Sequence, residues 1–106
     1  MTQPSGEGLA QLAALRAEID ALDRSLVALL GRRRAVVARM RALKAEHALP
    51  RVDPERERSL RAALLEEGRA HELPDALVHA VLDVVLEDSR QLVSGAPVSK
   101  GPGQGG

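Results

Sequence analysis

Leu12, Leu15, Ile19, Leu22, Leu26, Leu29, Arg33, Val36, Met40 and Leu43 follow one another at alternating spacings of three and four, the rhythm of a helix buried against a partner. Nine of these residues are apolar and one is a guanidinium. An unpaired buried charge is strongly destabilising, so a fold that puts Arg33 on its inner stripe implies an anion to meet it. Lys44 stands eleven residues further on, about three helical turns, and returns to nearly the same face one step beyond Leu43. Arg33 and Lys44 then flank one site about 16 Å apart along the helix axis, with a ligand or another helix's residues between them.

The other charged residues need weighing against ordinary surface roles. Arg32, Arg34, Arg39 and Arg41 complete a cationic strip that holds no acid up to Lys44, and Arg32, Arg34 and Arg39 read as a solvated face. Arg16 adjoins the seam residue Leu15 and precedes Arg33 by seventeen residues, roughly 25 Å along the same rod, too far to share a small ligand within one chain. In an antiparallel dimer the Arg16 end of one helix comes alongside the Lys44 end of the other, which makes composite sites. Arg56 and Glu57 open a later helix, where the default is surface charges paired at helical spacing. His47, His71 and His79 are widely separated and lack metal-ligand spacing, so they read as structural or exposed. Glu87-Asp88-Ser89 has no His at a readable distance for a nucleophile triad. Without Cys, thiolate catalysis, disulfides and Cys-ligated zinc are excluded. Walker-type and dinucleotide glycine motifs are absent.

The elements that must position these groups are helical. From about Glu7 to about Glu46 no proline occurs and only Gly8 and Gly31 interrupt, so the rod is roughly 60 Å long. A compact domain of this size has a radius of gyration near ~13 Å. The rest of the chain cannot cover such a rod, and the expectation is an obligate homodimer with the long helices packed together. The long helix stops near His47, ahead of Leu49-Pro50. Asp53-Pro54-Glu55 restarts helix, with Asp53 as N-cap and Pro54 at the first position. This second helix runs to about Ala70, with Gly68 expected to fray its end. A third starts around Pro74-Asp75 and continues to about Val93, with Leu82, Leu86, Ser89 and Val93 on one stripe. Ser89 is thus a second polar residue on an apolar face. Residues 1–6 and 95–106 are rich in Gly, Pro and Ser and read as disordered tails around one domain of residues 7–94.

Composition narrows the function classes. The core must be aliphatic, because 17 Leu accompany no Phe, Tyr or Trp. Stacking platforms for single-stranded nucleic acid and aromatic cages for cationic ligands are therefore missing. Fifteen basic and fifteen acidic residues cancel, which argues against a nucleic-acid binder. With no apolar run near 20 residues and no signal-peptide pattern, the expectation is a cytoplasmic chain with no membrane partner.

Four stretches taken together carry a family resemblance: Leu15-Arg16-Ala17-Glu18-Ile19-Asp20-Ala21-Leu22-Asp23, the Arg32-Arg33 pair with Lys44 eleven residues after Arg33, Asp53-Pro54-Glu55-Arg56-Glu57, and Glu87-Asp88-Ser89. In register over about residues 9 to 93, they resemble the all-helical chorismate mutases, the AroQ class. The resemblance implies three helices in an intertwined homodimer with shared active sites, and the rearrangement of chorismate to prephenate in aromatic amino acid biosynthesis, the shikimate pathway. That unimolecular pericyclic shift needs no general base, nucleophile, metal or cofactor. It needs the enolpyruvyl chain held over the ring and the charge on the breaking ether oxygen stabilised. By resemblance, Arg33 and a second subunit's Arg16 bind the carboxylates, Arg56 helps to hold the substrate, and Lys44 donates to a carboxylate and the ether oxygen. The backbone at Asp53 and the Glu57 carboxylate hold the ring hydroxyl, and Ser89 contacts the ring carboxylate.

Two positions depart from the family pattern. Val93 stands four residues after the serine, where many members place Gln or Glu as a second donor to the ether oxygen; Gln91 points to another side of the helix. Arg41 stands where a small residue is usual. The alternatives are a 4-amino-4-deoxychorismate mutase, in which Glu57 meets an ammonium, an isochorismate pyruvate lyase, and a helical dimerisation module that is inactive or requires an activating partner enzyme.

Overall fold

The computed structural model describes residues 5–94. Three α-helices follow one another, α1 (Gly6–Glu46), α2 (Pro54–Ala70) and α3 (Asp75–Ser94), and the described residues contain no strand. The chain is all-α, as its periodicity and caps require. Of the termini read as tails, 1–4 and 95–106 lie outside the described residues, while Ser5 and Gly6 are within them. Two compact units divide after Arg33.

The N-terminal unit is the first part of α1. Ser5 starts it: its hydroxyl accepts from the Gly8 amide at 2.9 Å and its carbonyl from the Leu9 amide at 3.0 Å, which satisfies donors left over at a helix start. Glu7 adds an acid to the positive first turn. The apolar seam residues Leu12, Leu15, Ile19, Leu22, Leu26 and Leu29 are all exposed in the single chain.

The C-terminal unit holds the last turns of α1 together with α2 and α3. α1 ends in a Schellman motif: Leu49 N–H donates to the Lys44 carbonyl at 2.8 Å, and Ala48 takes φ 55°. α2 is capped by Asp53, whose backbone is extended and whose carboxylate accepts from the Arg56 amide at 3.1 Å, with Pro54 at the first helical position. α2 also ends in a Schellman motif, with Glu72 at φ 60° and Leu73 N–H on the Gly68 carbonyl at 2.9 Å. Pro74 then opens α3, its carbonyl accepting from the Leu77 and Val78 amides.

α2 and α3 form an antiparallel hairpin packed face to face. Gly68 does not fray, contrary to the expectation from its low helix propensity. It is buried, and a Cβ there would stand 2.6 Å from Val78 Cγ2, so the missing side chain is what lets the two helices approach. The α3 stripe behaves as its spacing predicts: Leu82, Leu86 and Val93 are buried together with Val37 of α1. Ion pairs rim the hairpin. Arg61 reaches both His79 Nδ1 at 3.0 Å and Asp83 at 2.8 Å. Arg69 grips both Asp75 oxygens, at 3.1 and 2.7 Å. Arg34, from the last turns of α1, pairs with Asp88 of α3 at 3.0 Å.

Candidate active site

At the C-terminal end of α1 the chain turns through Ala48, Leu49 and Arg51, and this turn closes a cleft of about 400 Å³ against the end of α3. Arg41, Lys44 and Arg51 bring three cations to it, while Ala45, Leu49 and Val93 supply apolar wall. Lys44 is partly buried, and its Nζ donates to the Arg51 carbonyl at 3.1 Å. An ammonium carries three hydrogens, so this single bond orients the head group and leaves donors for an anion. Lys44 also closes the last turn of α1, where a cation is favoured by the helix dipole. Cations held beside apolar wall bind an anionic group more firmly than they would in bulk water, because the local dielectric is lower.

Of the residues expected to act, the structure brings Lys44 and Val93 into this one cleft, and the unusual Arg41 lines it with them. Asp53 uses its carboxylate on the Arg56 amide and its carbonyl on the Glu57 amide at 3.1 Å. This cap fixes the first turn of α2 and with it the starting positions of Arg56, which is exposed, and Glu57, which is half-buried. Ser89 donates its hydroxyl to the Val85 carbonyl at 3.0 Å. A hydroxyl has one hydrogen, so Ser89 must turn from that carbonyl to donate to a carboxylate. Arg16 and Arg33 belong to the N-terminal unit; there Arg16 is exposed and Arg33 is half-buried.

Glu57 departs from the default of a surface charge paired along its own helix. Arg90 of α3 donates to it through Nε, at 3.1 Å from Oε1 and 3.2 Å from Oε2, and through Nη2, at 2.9 Å from Oε1. Nη1 of the same guanidinium reaches Glu87 at 2.6 Å. Hydrogen bonds to Glu57 first, and to Glu87 second, hold the Arg90 guanidinium above its already high ordinary range. Sequence reasoning passed over Arg90 and Arg51. The Glu87–Arg90 spacing of three is readable as a helix pair, but the reach to Glu57 spans 33 residues and leaves no local signal. Gln91 leans towards Glu87, 3.4 Å away, consistent with its reading as a residue of another helix face. Among the described residues no three His, Asp or Glu side chains gather at metal-binding distances, and no helix is long and apolar enough to cross a membrane.

Comparison with known proteins matches residues 15–93 to the family described as chorismate mutase type II. A T-protein of Enterobacter agglomerans is 38% identical over 81 residues, which is 76% of this chain and 22% of that protein. The bifunctional chorismate mutase/prephenate dehydratase of Escherichia coli K12 is 37% identical over 78 residues, 74% of this chain and 20% of that enzyme. The protein of the same description from Shigella flexneri matches to the same extent. The chain thus spans about a fifth of the length of these curated relatives.

Proposed function

The chain belongs to the chorismate mutase type II family, an all-helical isomerase family, and on that premise we propose that it converts chorismate to prephenate by a pericyclic rearrangement. The observation that carries the reading is the cleft in which Lys44 is held between Arg41, Arg51 and apolar wall. The reaction is unimolecular, so the protein contributes orientation and charge. Binding a dicarboxylate by fixed cations removes the freedom of the enolpyruvyl chain. A preorganised donor facing the ether oxygen stabilises the charge that builds as the bond breaks, an effect on the order of 3 kcal/mol. In this reading Lys44 is that donor, Arg33 and Arg16 of a second copy bind the carboxylates, and Arg56 secures the substrate. The Asp53 backbone and Glu57 meet the ring hydroxyl, and Ser89 the ring carboxylate.

The reading includes a cytoplasmic homodimer with shared sites. The nine apolar seam residues from Leu12 to Leu43 are 41–64% exposed in the single chain. Covering the exposed part of each favours association by roughly 1 kcal/mol, and a second copy of the same seam is the surface whose period matches.

The test is to incubate the purified protein with chorismate and follow substrate loss and product by chromatography. Prephenate is expected. Lys44→Ala and Arg33→Ala should each lower kcat/KM by about a hundredfold or more, the loss seen when one preorganised donor is removed, with the helical circular dichroism unchanged. Wild-type turnover in a folded Lys44→Ala variant would remove the assigned donor.

A further inference from the structure

Glu57 lies in the first turn of α2 and Arg90 near the end of α3, so the clamp between them exists only because the two helices run antiparallel. Its geometry is uneven. Among the described residues, Oε1 accepts from both Nε and Nη2, at 3.1 and 2.9 Å, whereas Oε2 accepts only from Nε, at 3.2 Å. Each carboxylate oxygen offers about two acceptor positions, so Oε1 is saturated and Oε2 keeps one. One position on an already neutralised carboxylate suits a single neutral O–H.

Resting on the reading above, in which Glu57 faces the ring substituent of the dicarboxylate, we propose that Arg90 is a specificity-determining positioning residue. It neutralises Glu57 and so selects a substrate with a ring hydroxyl over one with a ring ammonium. A bare carboxylate would favour the ammonium, because a charge-assisted hydrogen bond is stronger than a neutral one. With Arg90 in place, an ammonium on Oε2 meets a guanidinium whose Nε is 3.2 Å from the same oxygen, and like charges at that range repel. Glu87 adds a negative charge on the other side of Arg90, at Nη1. Its side chain is 57% exposed against 26% for Glu57, so solvent screens it more strongly. The alternative in which Glu57 meets an ammonium treats the carboxylate as unpaired, and the clamp removes that condition.

The test is the ratio of kcat/KM for chorismate to kcat/KM for 4-amino-4-deoxychorismate, in wild type, Arg90→Gln and Arg90→Lys. Wild type should favour the hydroxyl substrate. Arg90→Gln should lower the ratio by about tenfold or more, the smallest effect expected when a charge beside a titratable or ionic group is removed, and chiefly through the KM of the amino substrate. Arg90→Lys keeps the charge and should stay near the wild-type ratio. A purely structural role for Arg90 would lower both rates together and leave the ratio alone, and that result in folded Arg90→Gln would overturn the proposal. So would a wild type that prefers the amino substrate, which needs no variant to be measured. Absence of turnover on either substrate by wild type would instead remove the mutase reading, and this inference with it.

Discussion

Val93 belongs to the apolar wall of a cleft that three cations also line, and it is buried. If the ether oxygen of the substrate lacks a second donor there, Val93→Gln should raise kcat on chorismate by roughly tenfold, a modest share of what one preorganised donor can contribute. Burying the amide should cost about 1 kcal/mol of stability, readable in thermal unfolding. An unchanged or lower kcat would point to a site tuned to a different substrate. A second residue-scale prediction concerns acid stability. The Asp75 carboxyl is held below its ordinary value, first by its hydrogen bonds to Arg69, which outweigh the opposing effect of burial, and after these by the charge of Arg69. A depressed folded-state value means that the pair stabilises the protein fully above the unfolded carboxylate range, near about pH 4, and that this contribution is lost as pH falls through the folded value. Asp75→Asn should therefore be less stable than wild type at neutral pH, with the gap closing in acid. Melting curves at a series of pH values would check this, and a gap independent of pH would contradict it.

The helix ends and crossings carry element-scale consequences. Ala48 and Glu72 both occupy the left-handed position that ends a Schellman motif, at φ 55° and 60°, where a side chain is strained by roughly 1–2 kcal/mol and glycine is not. Glu72→Gly should therefore stabilise the hairpin by about 0.5–1 kcal/mol after allowing for glycine's greater freedom in the unfolded chain, measured by urea unfolding. Gly68 predicts the opposite sign. Alanine is the better helix former by about 1 kcal/mol, but its Cβ would stand 2.6 Å from Val78 Cγ2, and a β-branched side chain cannot easily turn away. Overpacking of this kind costs about 1–3 kcal/mol. Gly68→Ala should be destabilising on its own and should recover in combination with Val78→Ala; a stabilised single variant would show that the hairpin yields without cost.

At the scale of the whole molecule, the exposed seam of α1 leads to the proposed homodimer, and shared sites have a consequence that no monomer reproduces. Arg16→Ala and Lys44→Ala proteins, each inactive alone, should regain part of wild-type activity when mixed under conditions that exchange subunits, because each hybrid dimer holds one intact site. Chromatographic assay after verified exchange reads the outcome. No recovery would mean that Arg16 and Lys44 serve a site within one subunit, and an active Arg16→Ala protein would mean that Arg16 has no part in the site.

The three helices and nearly all their ends were legible in the sequence, because the signals are local. Asp53-Pro54 caps α2 through atoms three residues apart, Pro50 lies just beyond α1, and the stripe of Leu82, Leu86 and Val93 is buried as its spacing requires. The spacing from Arg33 singled out Lys44, and Val93 stood out as a departure from the family pattern; both line one cleft. What depends on the register of one helix against another emerged on packing alone. That packing paired Glu57 with Arg90 across 33 residues, drew Arg61 to His79 and Asp83, and turned Gly68 from an expected weak point into the contact where α2 meets α3. A guanidinium's partner is fixed by which carboxylate the packing brings within about 3 Å, and no periodicity within a single helix carries that information.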